Sequence, residues 1–173
     1  MNSYSVTKYH PETRGEIDEW TEISDINRTF DEVVFTLEEY LRVESNYVKA
    51  IERIIGYLGV KTLTVSYLER RDYDYRPSSK RAFHELYPIR MRDLRKKKVK
   101  PGKVLSRDQI PNMLRLMFRN TLYAELEYKE SESDEQYSFK VFFGYDYMMG
   151  VHSMDDLSSL QDELLHLDMY LDG

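Results

Sequence analysis

The chain has 173 residues, no cysteine, and 31 acids against 25 Lys/Arg, a net charge of −6. That length buries about 70% of the unfolded surface, so the chain needs no disulfide or metal to fold. The missing cysteine excludes disulfides, thiolate nucleophiles and zinc–thiolate sites.

In chain order, Tyr4 to Tyr9 alternates weakly and reads as an edge strand. Pro11 to Phe30 reads as irregular, with Trp20, Ile23 and Ile26 at near-helical spacing and Trp20 as an anchor to the core. Thr36-Leu37-Glu38-Glu39 is a capping box that opens a helix. Its apolar stripe runs from Leu37 to Leu58, and Gly59 follows its end. Lys61 to Leu68 alternates like a half-buried strand, with Leu63, Val65 and Tyr67 on one side. A polar loop follows and is closed by Pro77; Lys80 to Lys98 is then helical in two pieces divided by Pro88.

After a turn at Lys100–Lys103, Asp108 is expected to cap a helix that points Ile110, Leu114, Met117 and Phe118 inward. Pro111 is tolerated in its first turn. Leu122, Ala124, Leu126 and Tyr128 form one strand file, and Tyr137, Phe139, Val141 and Phe143 another. Lys129 to Gln136 is the exposed hairpin loop between them, and Gly144 marks a bend. A last helix is predicted from a Ser153 cap to about Leu171, with Leu157, Leu160, Leu164, Leu167 and Leu171 as its stripe. Long helices and hairpins without βαβ alternation predict a single α+β domain over residues 1–173, an antiparallel sheet of about four to five strands packed with three to four helices.

No catalytic motif emerges: there is no phosphate loop, no nucleophile elbow, and the four histidines are far apart in sequence. No cofactor, metal, membrane or small-molecule substrate is therefore expected. The N-terminus lacks an apolar signal core and no apolar run reaches a membrane span, so a cytoplasmic location is expected.

Charge is the distinctive feature. Ser79 to Arg107 holds eleven Lys/Arg and two acids, net +9; the remainder holds fourteen against twenty-nine, net −15. Separated fields of opposite sign steer charged partners together. The basic residues Arg90, Arg92, Arg95, Lys96, Lys97, Lys98, Lys100 and Lys103, with Tyr87 nearby, suit phosphate contacts. The same residues also suit an acidic protein surface, or internal neutralisation against the acidic helices. A nucleic-acid-binding regulator using residues 80–107 is thus the alternative reading. Tyrosine is the second unusual count, at fifteen. Asp72, Tyr73, Asp74 and Tyr75 form one acid–tyrosine group; Tyr145, Asp146 and Tyr147 form another. Tyrosine is enriched in interfaces, and an acid among rings suits a basic partner. An inward strand file is the other option for Tyr145 and Tyr147.

Glu19–Ile26, Thr36–Leu41 and Phe142–Met148 together resemble small bacterial immunity proteins of contact-dependent growth inhibition and polymorphic toxin systems. The resemblance implies tight, non-catalytic binding to a cognate protein toxin domain, commonly a nuclease, whose active site is occluded. The partner contacts expected are Asp72–Tyr75, Tyr145–Tyr147 and the acidic loop residues Glu130, Glu132, Asp134 and Glu135.

Overall fold

The computed structural model describes residues 1–13, 22–30, 32–71, 75–77, 79–95, 99–131, 135–144 and 147–173. The elements in chain order are β1 (Asn2–Thr7), β2 (Thr29–Phe30), β3 (Val33–Val34), α1 (Leu37–Tyr57), β4 (Thr62–Arg70), α2 (Lys80–Leu86) and α3 (Ile89–Asp93). They continue with β5 (Val104–Ser106), α4 (Ile110–Phe118), β6 (Leu122–Tyr128), β7 (Phe139–Phe143), β8 (Met149–Ser153), α5 (Gln161–Leu165) and β9 (Tyr170–Asp172).

Seven strands form one sheet in the order β5-β4-β6-β7-β8-β1-β9, every neighbouring pair antiparallel. The α+β class is as expected, but among the described residues the seven-stranded sheet and five α-helices exceed the four to five strands and three to four helices predicted. The extra strands are short: β5 and β9 have three residues each, too few for a periodic pattern to register. β1 lies between β8 and β9, so it is an interior strand rather than the predicted edge.

α1 starts as its sequence dictates. The Thr36 hydroxyl accepts the Glu39 amide at 3.1 Å, and Gly59 follows the helix at φ +67. The Glu39 carboxylate turns to the Arg42 guanidinium instead of reaching back to complete the capping box. Tyr40, Val43, Tyr47, Val48, Ala50, Ile51, Ile54 and Ile55 are buried along one face. Full burial of each large apolar side chain contributes about 1.5–3 kcal/mol. They meet one sheet face, where Val65, Leu126, Val141, Val151 and Tyr4 line up across five strands. α4 adds Ile110, Met113, Leu114, Leu116, Met117 and Phe118 to the same core.

A buried ion pair ties the helices together. Arg119, just after α4, donates to both Glu44 carboxylate oxygens from Nε and Nη2, and its Nη1 donates to the Leu86 carbonyl. Side-chain exposure is 4% for Arg119 and 1% for Glu44. Burial pushes the Glu44 carboxyl up, and Arg119 pulls it back. Arg119 also lies 5.4 Å from the ring centroid of buried Tyr87.

Four local expectations are corrected. A bulge between Val65 and Tyr67 shifts the register, so Leu63 and Val65 face the core while Tyr67 is 47% exposed on the opposite face. Gln109, not Asp108, precedes α4; the Asp108 carboxylate accepts the Ser106 hydroxyl at 2.6 Å. Tyr137 precedes β7 and stacks on His152 instead of joining the core file of Phe139 and Val141. The long last helix is absent: β8 runs through Ser153, a 3-10 turn at Ser158–Leu160 leads into the five-residue α5, and Asp168 at φ 54 turns the chain into β9. Leu157, Leu160 and Leu164 are still buried, because short helical turns give the spacing that one long helix would. Trp20 lies outside the described residues. Among those described, no helix is long and apolar enough to cross a membrane.

Candidate functional site

Strand alternation sends every second side chain away from the core. Among the described residues, the buried helix side chains join one core cluster, and Thr64, Glu125, Glu127, Lys140, Phe142 and His152 on the other sheet face stay partly exposed. The register arranges this second face into cross-strand rows. One row reads Val104, Thr64, Glu127, Lys140, His152, Ser3 across β5 to β1. The next reads Tyr67, Glu125, Phe142, Gly150, Ser5, Asp172 across β4 to β9.

Lys140 organises the middle of this face. Its ammonium donates to Glu125 Oε2 at 2.5 Å and lies 3.6 Å from Glu127 Oε1. It also sits 5.3 Å from the Tyr137 ring centroid and 5.8 Å from that of Phe142. Burial works to lower its pKa, but the Glu125 hydrogen bond and charge outweigh that and hold it above the usual lysine value. The Tyr137 hydroxyl is 3.0 Å from His152 Nδ1. Phe142 meets the His152 ring edge-on at 5.1 Å. Burial and then the Lys140 charge hold His152 below the ordinary histidine value. That direction favours the neutral imidazole near pH 7, and Nδ1 shares one hydrogen bond with the Tyr137 hydroxyl.

Two further rings extend the face. Tyr67 and Tyr123 meet edge-on at 5.9 Å, and the Arg71 guanidinium lies 5.9 Å from the Tyr123 centroid. The Tyr123 hydroxyl donates to Glu125 at 3.3 Å. Burial, then the Glu125 charge, pushes that phenol above its ordinary value. Gly150 is bare for a reason: a Cβ there would overlap the Phe142 ring, which lies across it. The result is a lattice of aromatic and charged side chains held on rigid strands.

The predicted contact residues disperse around this face. Glu130 and Glu135 are exposed on the β6–β7 hairpin. Tyr75 is half-buried against the core. Tyr147 is buried, with its ring 5.5 Å from Phe143 and 5.7 Å from Phe118, so it is a packing residue and not a surface contact. Asp72, Tyr73, Asp74, Glu132, Asp134, Tyr145 and Asp146 lie outside the described residues.

In the basic stretch, Arg90, Lys100 and Lys103 are exposed, Arg92 and Arg95 half-buried, and Lys96, Lys97 and Lys98 lie outside the described residues. Arg81 pairs with Glu85 inside the stretch. Arg107 turns to backbone, donating to the Val60 and Glu52 carbonyls. Among the described residues no ion pair joins Arg90, Lys100 or Lys103 to the acidic remainder. Tyr87, the ring nearest this stretch, is fully buried, which removes it as a base-stacking platform.

Geometry explains why the two charge fields persist. β5, inside the basic stretch, is one sheet edge; β9, inside residues 153–173 with six acids and no Lys/Arg, is the other. Six strand spacings put the edges about 29 Å apart, well beyond a Debye length of about 8 Å. Sequence reasoning missed the uncovered face because its members are spread over residues 3 to 172 and meet only through register. Compared with known proteins, the chain matches no family model, and no curated protein or solved structure shows significant similarity to it.

Proposed function

We propose that this chain is a non-catalytic inhibitor of the immunity-protein kind, binding a cognate toxin domain and occluding its active site. The observation that supports the reading most is the uncovered sheet face. Tyr67 is 47% exposed at mid-strand, beside Tyr123, Phe142 and the Glu125–Lys140–Glu127 cluster. Rings and charges already fixed in place lose little freedom on binding, which favours tight association. Aromatic anchors supply a desolvated centre, and the exposed acids Glu130 and Glu135 supply a steering rim. The nucleic-acid reading is weaker because Tyr87 is unavailable for stacking.

The test is co-expression with the C-terminal domain of a large secreted protein encoded immediately upstream. The expected result is stoichiometric co-purification and loss of the domain's toxicity. Tyr67→Ala with Tyr123→Ala should weaken binding by about 2 kcal/mol or more, roughly thirtyfold. Failure of the wild-type chain to co-purify overturns the proposal.

A further inference from the structure

Where α2, α3 and α4 meet, they line a cleft of ≈ 600 Å³. α2 contributes His84, α3 and its leading proline contribute Pro88, Ile89, Arg90 and Arg92, and α4 contributes Asn112. The walls are anchored from behind, with Leu86, Met91 and Met113 buried in the core. Arg119 ties the first two together: its Nη1 donates to the Leu86 carbonyl and lies 3.4 Å from Met91 Sδ. The cleft is therefore a fixture of the helix junction, and none of its residues belongs to the cross-strand rows of the sheet.

All four polar side chains of this cleft can donate, and among the described residues none has a hydrogen bond or an ion pair. Arg92 carries the decisive detail. Its Nε is sealed from solvent and meets no acceptor. A cationic N–H withdrawn from water in this way is costly unless an acceptor is supplied. The acids of the neighbouring segments are engaged elsewhere. Glu85 pairs with Arg81, Asp108 accepts the Ser106 hydroxyl, and Asp93 has an interaction of its own.

We infer that this cleft binds a phosphate dianion, free or as the monoester of a small molecule. Two guanidiniums bring two fixed positive charges, which balance a dianion. Their N–H groups, with the Asn112 amide and the His84 ring, exceed the roughly four acceptor sites of a carboxylate. They suit the three terminal oxygens of a phosphate, with the guanidinium edges binding bidentately. Ile89, 68% exposed, and Pro88 form an apolar lip for the organic part of a monoester. A phosphodiester brings one charge and two terminal oxygens, and buried Tyr87 gives a nucleobase no ring to stack on, so nucleic acid is a poorer occupant. The site goes beyond the inhibitor reading and stands or falls without it.

The experiment is an amide chemical-shift titration of the full chain at constant ionic strength and about pH 7.5, where a phosphate monoester is a dianion. The probes are inorganic phosphate, glycerol 3-phosphate, dimethyl phosphate and a short oligothymidylate. Expected are saturable shifts centred on His84, Arg90, Arg92 and Asn112 with the first two, and a Kd in the millimolar range or tighter. Whichever of those two binds tighter names the source, the free ion or a monoester. Dimethyl phosphate should bind more weakly by about tenfold or more. Arg92→Met, which keeps the apolar stem and removes the guanidinium, should weaken phosphate binding by about tenfold or more. Lys103→Met, which removes one charge from the same basic stretch outside the cleft, should leave it unchanged. The Arg92→Met spectrum reports whether that variant keeps its fold; should it not, Arg90→Met at an exposed position carries the same expectation. No saturable shifts, equal binding of dimethyl phosphate, equal losses from Lys103→Met and the cleft variant, or tighter binding of the oligothymidylate at these amides overturns the phosphate site.

Discussion

At the scale of single residues, Gly150 and His152 show how closely the uncovered face is set. Gly150→Ala would drive a methyl group into the Phe142 ring, dislodging it from both Gly150 and His152. Such overpacking costs about 1–3 kcal/mol. Chemical denaturation should show that loss, and adding Phe142→Ala should give a double variant less destabilised than the two single changes summed. His152 titrates below its unfolded value, so the unfolded chain takes up the proton first. Stability is then intact above about pH 6.5 and falls as pH drops through that value. His152→Gln should flatten the midpoint of urea unfolding between pH 7 and pH 5.5. Inside the core, Arg119→Met leaves Glu44 buried without its partner and should cost about 3–5 kcal/mol, read from the same unfolding curves.

At the scale of elements, legibility in the sequence depended on length and on local rules. α1 was legible from its Thr36 cap to Gly59 because 21 residues repeat one periodicity and both ends carry capping chemistry. The split of α2 from α3 at Pro88 was equally plain, since proline removes a donor and clashes with the preceding turn. β4 was half legible. Leu63 and Val65 obey alternation, but one extra residue at Ser66 reverses the phase, and nothing local announces a bulge. Deleting Ser66 should remove the bulge and leave Val65 inward, Tyr67 outward and Leu68 inward, so near-UV circular dichroism should show cooperative unfolding retained. The C-terminal leucines misled in the opposite direction. Their spacing fits a helix, but the chain leaves helical geometry at Asp168, and β9 is fixed by pairing with β1 more than 160 residues earlier. No local window contains that pairing.

At the scale of the whole molecule, the sorted charge was legible from composition, while its meaning was not. Internal neutralisation was one reading of residues 79–107; the sheet sets that stretch and the acidic C-terminal strip at opposite edges. The sheet carries a basic edge and an acidic edge, with the aromatic face between them. A charged partner is turned by this field before contact, which raises the encounter rate at low salt. Glu130→Lys with Glu135→Lys should slow association with the toxin domain proposed as partner and flatten its dependence on ionic strength, as followed by stopped-flow fluorescence. Dissociation should change far less, because rim charges act chiefly on the approach.

The position of β1 has a consequence for how the protein is made. This strand is synthesised more than 140 residues before its two neighbours, residues 149–153 and 170–172. Until then its backbone donors and acceptors have only water or chaperones to meet. Such long-range closure makes folding slow and largely post-translational. A nascent copy therefore carries an unfinished sheet until residues 170–172 are made.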